Sequence, residues 1–363
     1  MQIRYIDLYS IDMETQETVR ILRLSARDLS QALVDRYYQL HPEFGKRYGE
    51  DGYRKSIQDG EFHLLYLAEA LDINEPNLFY DYLSWTAQLF ASINMPISVL
   101  EESLHVLSAI LEEKLGKDLA QQAVTLITEA AAKVGQHIQT SESYLTGDEP
   151  IDVLARDYLS ALLKADRKQG GNLVAEGIKN GLDIRDIYLK VFQRTQQELG
   201  RLWQLNKITV AQEHFCTAAT QMIMSQLYPF IFTGELKDKH IVVACIGGEL
   251  HELGARMVAD IFELEGWDSY FVGANTPKEA LMTTVQERQA DIIALSVTMT
   301  FHLSALVDTI RTIKEHVPQL PILVGGYPFN ITQGLWKKVG ADAYAPDAVQ
   351  AVHIAKGLLH HGK

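Results

Sequence analysis

The protein has 363 residues, of which 47% are hydrophobic and 22% charged, a composition typical of a globular chain with room for two or three domains. It contains no apolar run of about eighteen residues that would predict a membrane span, and its start lacks the basic and apolar segments of a secretory signal. Two cysteines, Cys216 and Cys245, are too few for a disulfide framework. We therefore expect a cytoplasmic protein that does not bind membranes.

The net charge of −14 lies mostly in the first part of the chain. Residues 1–150 hold 12 Lys and Arg against 24 Asp and Glu, a net charge of −12, whereas the remaining residues hold 21 against 23. A DNA-binding module usually presents a basic stripe. The N-terminal segment has the opposite charge, so we do not expect direct DNA binding. The alternative interpretation is that these acidic residues only keep the protein soluble.

The first 150 residues predict a helical region between an arm and a linker. Residues 1–20 predict an irregular or short-stranded arm. Residues 25–140 predict helices, because apolar residues recur at helical spacing in residues 62–71, 78–93, 99–111 and 119–134. The tripeptides Asn74-Glu75-Pro76 and Asn94-Met95-Pro96 are typical of turns. The polar residues 140–150 predict a linker.

The rest of the chain predicts a helical bundle and then an alternating α/β region. Residues 158–164, 173–180, 184–202 and 210–227 have helical spacing, enough for a four-helix bundle. From residue 238, short branched runs at 240–246, 269–272, 292–296 and 322–324 alternate with helical patterns. This predicts a doubly wound parallel, Rossmann-like sheet. The predicted domains are therefore 1–145, 150–232 and 237–363.

A histidine motif directly follows the first predicted strand: Glu249-Leu250-His251-Glu252-Leu253-Gly254. It resembles the ExHxxG variant of the cobalamin-binding signature. Later turns match that family in order, namely residues 272–277, Ser296-Val297-Thr298, Gly325-Gly326 and residues 340–348. In parallel sheets of this kind, ligands bind at the carboxyl ends of the strands, where these turns lie.

This resemblance implies that His251 is the ligand beneath the cobalt and that the nucleotide tail of the cofactor enters the sheet domain. An imidazole is a good ligand for a transition metal, and the carboxylate of Glu249 can fix its tautomer. The other cofactor-binding residues implied are Gly254, Ser296, Thr298, Gly325 and Gly326. The alternative is a solvated loop histidine on a flavodoxin-like domain. Gly247-Gly248 lacks the GxGxxG spacing of a dinucleotide site.

A second set of residues lies in the predicted bundle, where Trp203 is followed after nine residues by Glu213-His214. It resembles the W-x9-EH signature of light-responsive adenosylcobalamin repressors, which implies that these residues surround an adenosyl group above the corrin. Where those repressors have a histidine after the Trp, this chain has Gln204, and it lacks their helix-turn-helix. The alternative is a core Trp with a surface Glu-His pair.

The N-terminal helical region is similar in size to non-haem globin sensors and bilin-binding globins, and the domain order resembles that of photocobilins. That resemblance implies a globin-like domain with a bilin such as biliverdin near Tyr80, Asp81 and Trp85. Phe79 and Tyr82 complete this set of aromatic residues. The alternative is that these aromatic side chains only pack in the core of the domain. Residues 1–150 contain no cysteine for a thioether bond. Further candidate contacts to haem or bilin are His63, His105 and His137.

Together these resemblances predict a light-sensing photoreceptor rather than an enzyme. Light would break the cobalt–carbon bond of adenosylcobalamin and change a homo-oligomer, a dimer or tetramer, or its binding to a downstream signalling protein. The alternative is a corrinoid methyl carrier of a methyltransferase system, which uses the same His251. A cobalamin-dependent isomerase subunit needs a substrate barrel, for which the chain has no room.

Overall fold

The computed structural model describes residues 12–134, 142–232 and 238–360. They form two compact units that divide between residues 140 and 141, with the short segment Thr300–Ser304 grouped with the first unit. None of the described helices is long and apolar enough to span a lipid bilayer.

The first unit is helical, as the apolar spacing predicts. Its helices are α1 (Met13–Leu24), α2 (Ala26–Leu40), α3 (Pro42–Asp72), α4 (Pro76–Ser92), α5 (Ile97–Leu115) and α6 (Lys117–Val134). The predicted irregular arm over residues 1–20 is wrong from residue 13 onwards, because Asp12 caps α1 by accepting a hydrogen bond from the Thr15 backbone N–H at 2.8 Å. Residues 1–11 lie outside the described part of the chain.

Buried aliphatic residues form the core of this first unit. On α5, Leu100, Leu104, Leu107 and Leu111 recur every three or four residues and are completely buried. That spacing places them along one face of the helix, which therefore packs inward. The turns at residues 74 and 94 are made by asparagines with positive φ, a conformation that asparagine tolerates better than most residues.

The second unit begins with a helical bundle. Its elements are α7 (Pro150–Leu163), α8 (Arg167–Lys179), α9 (Ile184–Asp186), a π-helical segment (Ile187–Gln193), α10 (Arg194–Gln204), α11 (Val210–Ser225) and α12 (Tyr228–Ile231). The segment from α9 through the π-helix to α10 is one continuous helical run. At the start of α11, Thr209 and Gln212 cap each other's backbone N–H groups, which fixes where this helix begins.

The rest of the second unit is a parallel five-stranded sheet. Its strands are β1 (His240–Ile246), β2 (Asp268–Thr276), β3 (Ile292–Ser296), β4 (Ile322–Gly325) and β5 (Ala343–Tyr344). They alternate with α13 (Leu253–Leu264), α14 (Lys278–Glu287), α15 (Leu303–His316), α16 (Tyr327–Ile331), α17 (Leu335–Lys338) and α18 (Ala348–His360), with a 3₁₀ turn at Thr300–His302. The predicted parallel, Rossmann-like sheet is confirmed.

The strand order β2-β1-β3-β4-β5 locates the crevice of this sheet. The chain moves outward from β1 to β2 and then crosses back to β3 on the other side of β1. Right-handed crossovers in opposite directions place their helices on opposite faces of the sheet. The loops after β1 and β3 therefore separate at their carboxyl ends, which is where doubly wound sheets bind ligands.

Candidate functional site

The loop after β1 is held in place by the end of β2. The Gly248 backbone N–H donates to the Asn275 side-chain oxygen at 2.7 Å, and the Asn275 N–H donates to the Glu249 carbonyl at 2.8 Å. Gly248 has a φ of +87°, a left-handed conformation that glycine adopts at little cost. These two hydrogen bonds join the loop after β1 to the end of β2, and the histidine motif begins in this loop.

Glu249 joins this loop to the segment that follows β3. Its side chain is completely buried. One carboxylate oxygen accepts from the backbone N–H and Nδ1 of His251, at 2.9 and 2.6 Å. The other accepts from the backbone N–H groups of Thr298 and Met299, at 2.8 and 2.9 Å. A buried carboxylate with this many donors is well satisfied, so it fixes both loops at the crevice.

His251 presents one ring nitrogen outward from this support. Its side chain is 58% exposed, although its Nδ1 lies on the buried carboxylate. With the Nδ1 proton held by Glu249, the neutral imidazole leaves the Nε2 lone pair free to bind a metal. The hydrogen bond with Glu249 raises the pKa of His251, and the charge of Glu213 adds to the rise. The Glu249 side chain therefore orients the ring and makes it a stronger base.

A cavity of about 170 Å³ lies beside this loop, between the sheet and helices α13 and α18. Apolar residues such as Val243, Met257 and Leu323 form part of its wall. Polar groups at its edge include Ser296, Thr298, Asn330 and Asp347. A mostly apolar cavity with a few polar groups is typical of cofactor sites.

Glycines leave room for a ligand at this cavity. Gly254 lines it, and a Cβ added there would meet no atom within 4 Å. Gly326 has a φ of +114°, and a Cβ there would lie 1.8 Å from the Val297 carbonyl oxygen. Gly325 would meet the Ala345 oxygen at 3.2 Å. Gly254 thus leaves open space, whereas Gly325 and Gly326 let strand ends and loops approach closely.

The residues present therefore fit a corrinoid with a nucleotide tail. His251 would offer an imidazole nitrogen to a cobalt, and the cavity would offer space, apolar walls and polar groups to a tail. The structure brings together all the site residues predicted in the sheet domain, namely Glu249, His251, Gly254, Ser296, Thr298, Gly325 and Gly326.

The predicted bundle residues lie around the turn between α10 and α11. Trp203 is near the end of α10 with 37% of its surface exposed. Glu213 is in the first turn of α11 and His214 follows it. The His214 side chain is 74% exposed, and its Nε2 lies 3.6 Å from the Glu213 carboxylate. Gln204, which stands where the repressors have a histidine, is buried.

Three hydrogen bonds tie α11 and α12 of the bundle to the loop and helix after β1. The Gln221 side chain donates to Glu252 at 3.2 Å. Arg256 donates to the hydroxyls of Ser225 and Tyr228 at 2.7 and 2.9 Å. The charge of Glu213, in the first turn of α11, also contributes to the raised pKa of His251.

Several residues that shape the site were not predicted from the sequence. Asn275 supports the loop, and Gln193 from the bundle lines the cavity. The Thr217 hydroxyl lies 2.8 Å from the Glu213 carboxylate and 2.8 Å from the Gln196 side-chain oxygen. The asparagine was recognisable as part of the turn after the second strand. The glutamines carry no local signal, because a glutamine on a helix is most often a solvated residue.

The predicted bilin residues in the first unit do not share one helix face. Phe79 is completely buried, and Tyr82 stacks on Tyr66 with ring centroids 3.8 Å apart. The Tyr80 hydroxyl instead donates to Glu129 at 2.7 Å. Successive helical residues are about 100° apart around the axis, so neighbouring aromatics cannot line one flat surface. Asp81 and Trp85, four residues apart, are both half-buried.

The candidate histidines of this unit have ordinary structural partners. The Nδ1 atom of His63 is 2.7 Å from the Tyr82 hydroxyl, and burial lowers the pKa of His63 to about 4. The exposed His105 contacts the Glu101 carbonyl at 2.7 Å. His137 lies outside the described residues.

Comparison with known proteins identifies the family. Residues 154–228 and 239–353 each match a family model described as a B12 binding domain. The dimethylamine corrinoid protein 2 of Methanosarcina acetivorans is 33% identical over 191 residues, which cover 51% of this chain and 86% of that relative. The chain belongs to the family of B12-binding corrinoid proteins.

Other relatives agree with this assignment. The trimethylamine corrinoid protein 1 of Methanosarcina mazei is 27% identical and is covered over its whole length, against 59% of this chain. The solved structure of the monomethylamine corrinoid protein of Methanosarcina barkeri has a TM-score of 0.51 at 18% identity, covering 57% of this chain and 98% of that one, and shares the fold. The two family matches leave the first 153 residues of this corrinoid protein unmatched.

Proposed function

We propose that this corrinoid protein binds cobalamin with His251 beneath the cobalt and carries a methyl group for a partner methyltransferase. In this proposal the chain is not an enzyme by itself. The supporting observation is the likeness of this chain to the dimethylamine corrinoid protein 2 over 191 residues, together with an oriented, exposed imidazole beside a cavity of about 170 Å³.

Different residues of this chain would have different roles in such a carrier. Cobalamin, when bound, would supply a cobalt centre that accepts a methyl group from one partner and gives it up to another. Glu249 holds the proton on Nδ1 of His251, so the imidazole would serve as a neutral ligand through Nε2. The glycines and small residues that line the cavity would leave room there for the nucleotide tail.

The test begins with the absorbance spectrum of the protein loaded with methylcobalamin. Wild-type protein should show displacement of the cofactor's own base by histidine, and His251→Ala should lose that signature because Nε2 is its source. The reduced, cobalamin-loaded protein should also react with methyl iodide, since a carrier must leave its reacting face accessible. An unchanged spectrum in His251→Ala removes this residue from the site.

A second candidate is an adenosylcobalamin light sensor, favoured by the positions of Trp203, Glu213 and His214. An indole can fill apolar space beside an adenosyl group, and the two polar side chains can pair with its polar edges. Loss of that group in light would let the bundle move and change a homo-oligomer or the binding of a signalling partner. The relatives named above are methylamine corrinoid proteins, so they support the cobalamin site and not light sensing.

This second candidate includes a globin-like first unit that binds a bilin such as biliverdin. Asp81 and Trp85 would contact it on one side of α4, with Tyr80 at the margin. Mixing the protein with biliverdin should then give a red-shifted absorbance band, and Trp85→Ala should weaken it. The spectrum of free biliverdin in the mixture would remove the bilin from the proposal.

Light separates the two candidates directly. Protein loaded with adenosylcobalamin in darkness is exposed to green light, and its absorbance and elution volume are measured. A change in elution volume favours the sensor, and Trp203→Ala should then weaken adenosylcobalamin more than hydroxocobalamin. Preference for methylcobalamin without any change of elution volume favours the carrier.

A further inference from the structure

The cavity beside His251 has one wall that does not come from the sheet domain. Strands β1, β3 and β4 and helices α13 and α18 form most of it, and Gln193 of the bundle contributes to its lining. Gln193 is half-buried. A ligand in this cavity would therefore contact both halves of the second unit.

Gln193 ends the π-helical segment Ile187–Gln193. Segments with i→i+5 hydrogen bonds are rare inside α-helices and are frequent at functional sites. The wider turn changes the register of the helix, so the residues after it face differently from those of an unbroken α-helix. This local irregularity occurs where the bundle reaches the cavity.

The same segment is anchored to the helix that forms another wall. The Tyr188 hydroxyl donates to the Asp260 carboxylate of α13 at 2.8 Å, and both side chains are buried. Just before the π-helix, Arg185 donates to Glu265 at 2.6 Å. Since α13 also carries Gly254 and Met257 of the cavity, these contacts fix the backbone of Gln193 relative to the space it lines.

A glutamine carboxamide offers two donors and an acceptor. From its half-buried position at the cavity, the Gln193 side chain can offer these groups to a ligand there. The nucleotide tail of a corrinoid carries phosphate oxygens, ribose hydroxyls and base nitrogens, any of which can pair with an amide. Apolar wall residues such as Val243 and Met257 cannot do this.

We propose that Gln193 hydrogen-bonds to the nucleotide tail of the bound corrinoid and is a specificity-determining residue for corrinoids that carry one. The inference rests on the proposed cobalamin site and adds a contact from the bundle to it. The tail then bridges the bundle and the sheet, so a corrinoid without a tail loses that bridge.

The experiment compares hydroxocobalamin with dicyanocobinamide, which lacks the nucleotide. Gln193→Met keeps the length of the side chain and removes the amide. We expect this variant to bind hydroxocobalamin about tenfold more weakly, the effect of one net hydrogen bond, and to bind dicyanocobinamide within twofold of wild type. Gln197→Met, at an exposed position on α10, is the matched control and should change neither affinity. Circular dichroism and urea unfolding show whether each variant is folded.

A second readout does not depend on affinity. Saturating hydroxocobalamin should slow proteolysis of the wild-type second unit more than saturating dicyanocobinamide does, and Gln193→Met should reduce that difference.

Equal losses for both corrinoids in Gln193→Met, or no loss for either, would overturn the inference. Wild-type protein that binds hydroxocobalamin but does not react with methyl iodide would refute the carrier function and leave the role of Gln193 standing. Wild-type protein that binds neither corrinoid would overturn both.

Discussion

Replacement of Glu249 by Gln tests the central support of the site. The carboxylate accepts four N–H groups, two from His251 and one each from Thr298 and Met299. An amide of the same shape has only one oxygen. Its NH₂ group must therefore face one of the two donor pairs.

The amide should keep its oxygen toward Thr298 and Met299, because His251 can turn part of its ring to water. His251 then loses the partner of its Nδ1 and of its backbone N–H. Each lost hydrogen bond to a buried charged acceptor costs about 1.5–3 kcal/mol, and partial solvation of the exposed ring reduces the sum. We expect the free energy of unfolding to fall by about 3 kcal/mol.

Two effects on the ligand follow from the same loss. Without a carboxylate, the ring is no longer held in one tautomer, and loss of such an outer partner costs 10–100-fold in metal affinity. The pKa of His251 should also fall toward its ordinary value of 6.5, since its hydrogen bond with Glu249 is the main cause of the rise.

Urea unfolding of the cofactor-free protein, spectroscopic titration with hydroxocobalamin and NMR of the His251 ring measure these three quantities. Glu287→Gln, at an exposed position on α14, is the matched control and should leave all three unchanged. Wild-type affinity and an unchanged His251 pKa in Glu249→Gln would refute the reasoning.

Three further predictions concern the glycines of the cavity and the core of the first unit. Gly326→Ala should destabilise the second unit by about 2 kcal/mol or more, measured by thermal unfolding, because its φ is +114° and its Cβ would clash with the Val297 oxygen. Gly254→Ala should leave the unfolding temperature unchanged but weaken hydroxocobalamin more than dicyanocobinamide, since its Cβ enters open space in the cavity; equal weakening would contradict the placement of the tail. His63 has a folded pKa of about 4, below its ordinary value of 6.5. The contribution of neutral, buried His63 to the free energy of unfolding is therefore complete above pH 6.5 and falls by about 3 kcal/mol as the pH drops to 4. The free energy of unfolding of His63→Gln, measured at pH 7.5 and 5, should depend less on pH than that of the wild-type protein.

Four of the five strands of the sheet, β1 to β4, were predicted from the sequence. Branched runs predicted β1, β3 and β4 almost to the residue, because a buried parallel strand is a short continuous apolar run. The histidine motif directly after the first of these runs lies at the carboxyl end of β1. Since parallel strands share that edge, the later turns had to meet it there, and the structure places Thr298 against Glu249.

The sequence was less informative where helices decide the geometry. The arm over residues 1–20 was mispredicted from residue 13 because a single capping side chain, Asp12, begins α1. The aromatic set of α4 looked like one surface in the sequence, but Phe79 points into the core and Tyr80 toward α6. Linear proximity on a helix does not mean a shared face.

What the sequence determined by itself is the chemistry of the site: an imidazole, a carboxylate and small residues at one strand edge. Only the tertiary structure decided which other groups reach that edge. Gln193 and Gln221 come from the bundle, and their spacing from His251 in the chain carries no signal. The physical reason is that the positions of these side chains depend on how the bundle packs on α13, through pairs such as Tyr188 and Asp260 that are 72 residues apart.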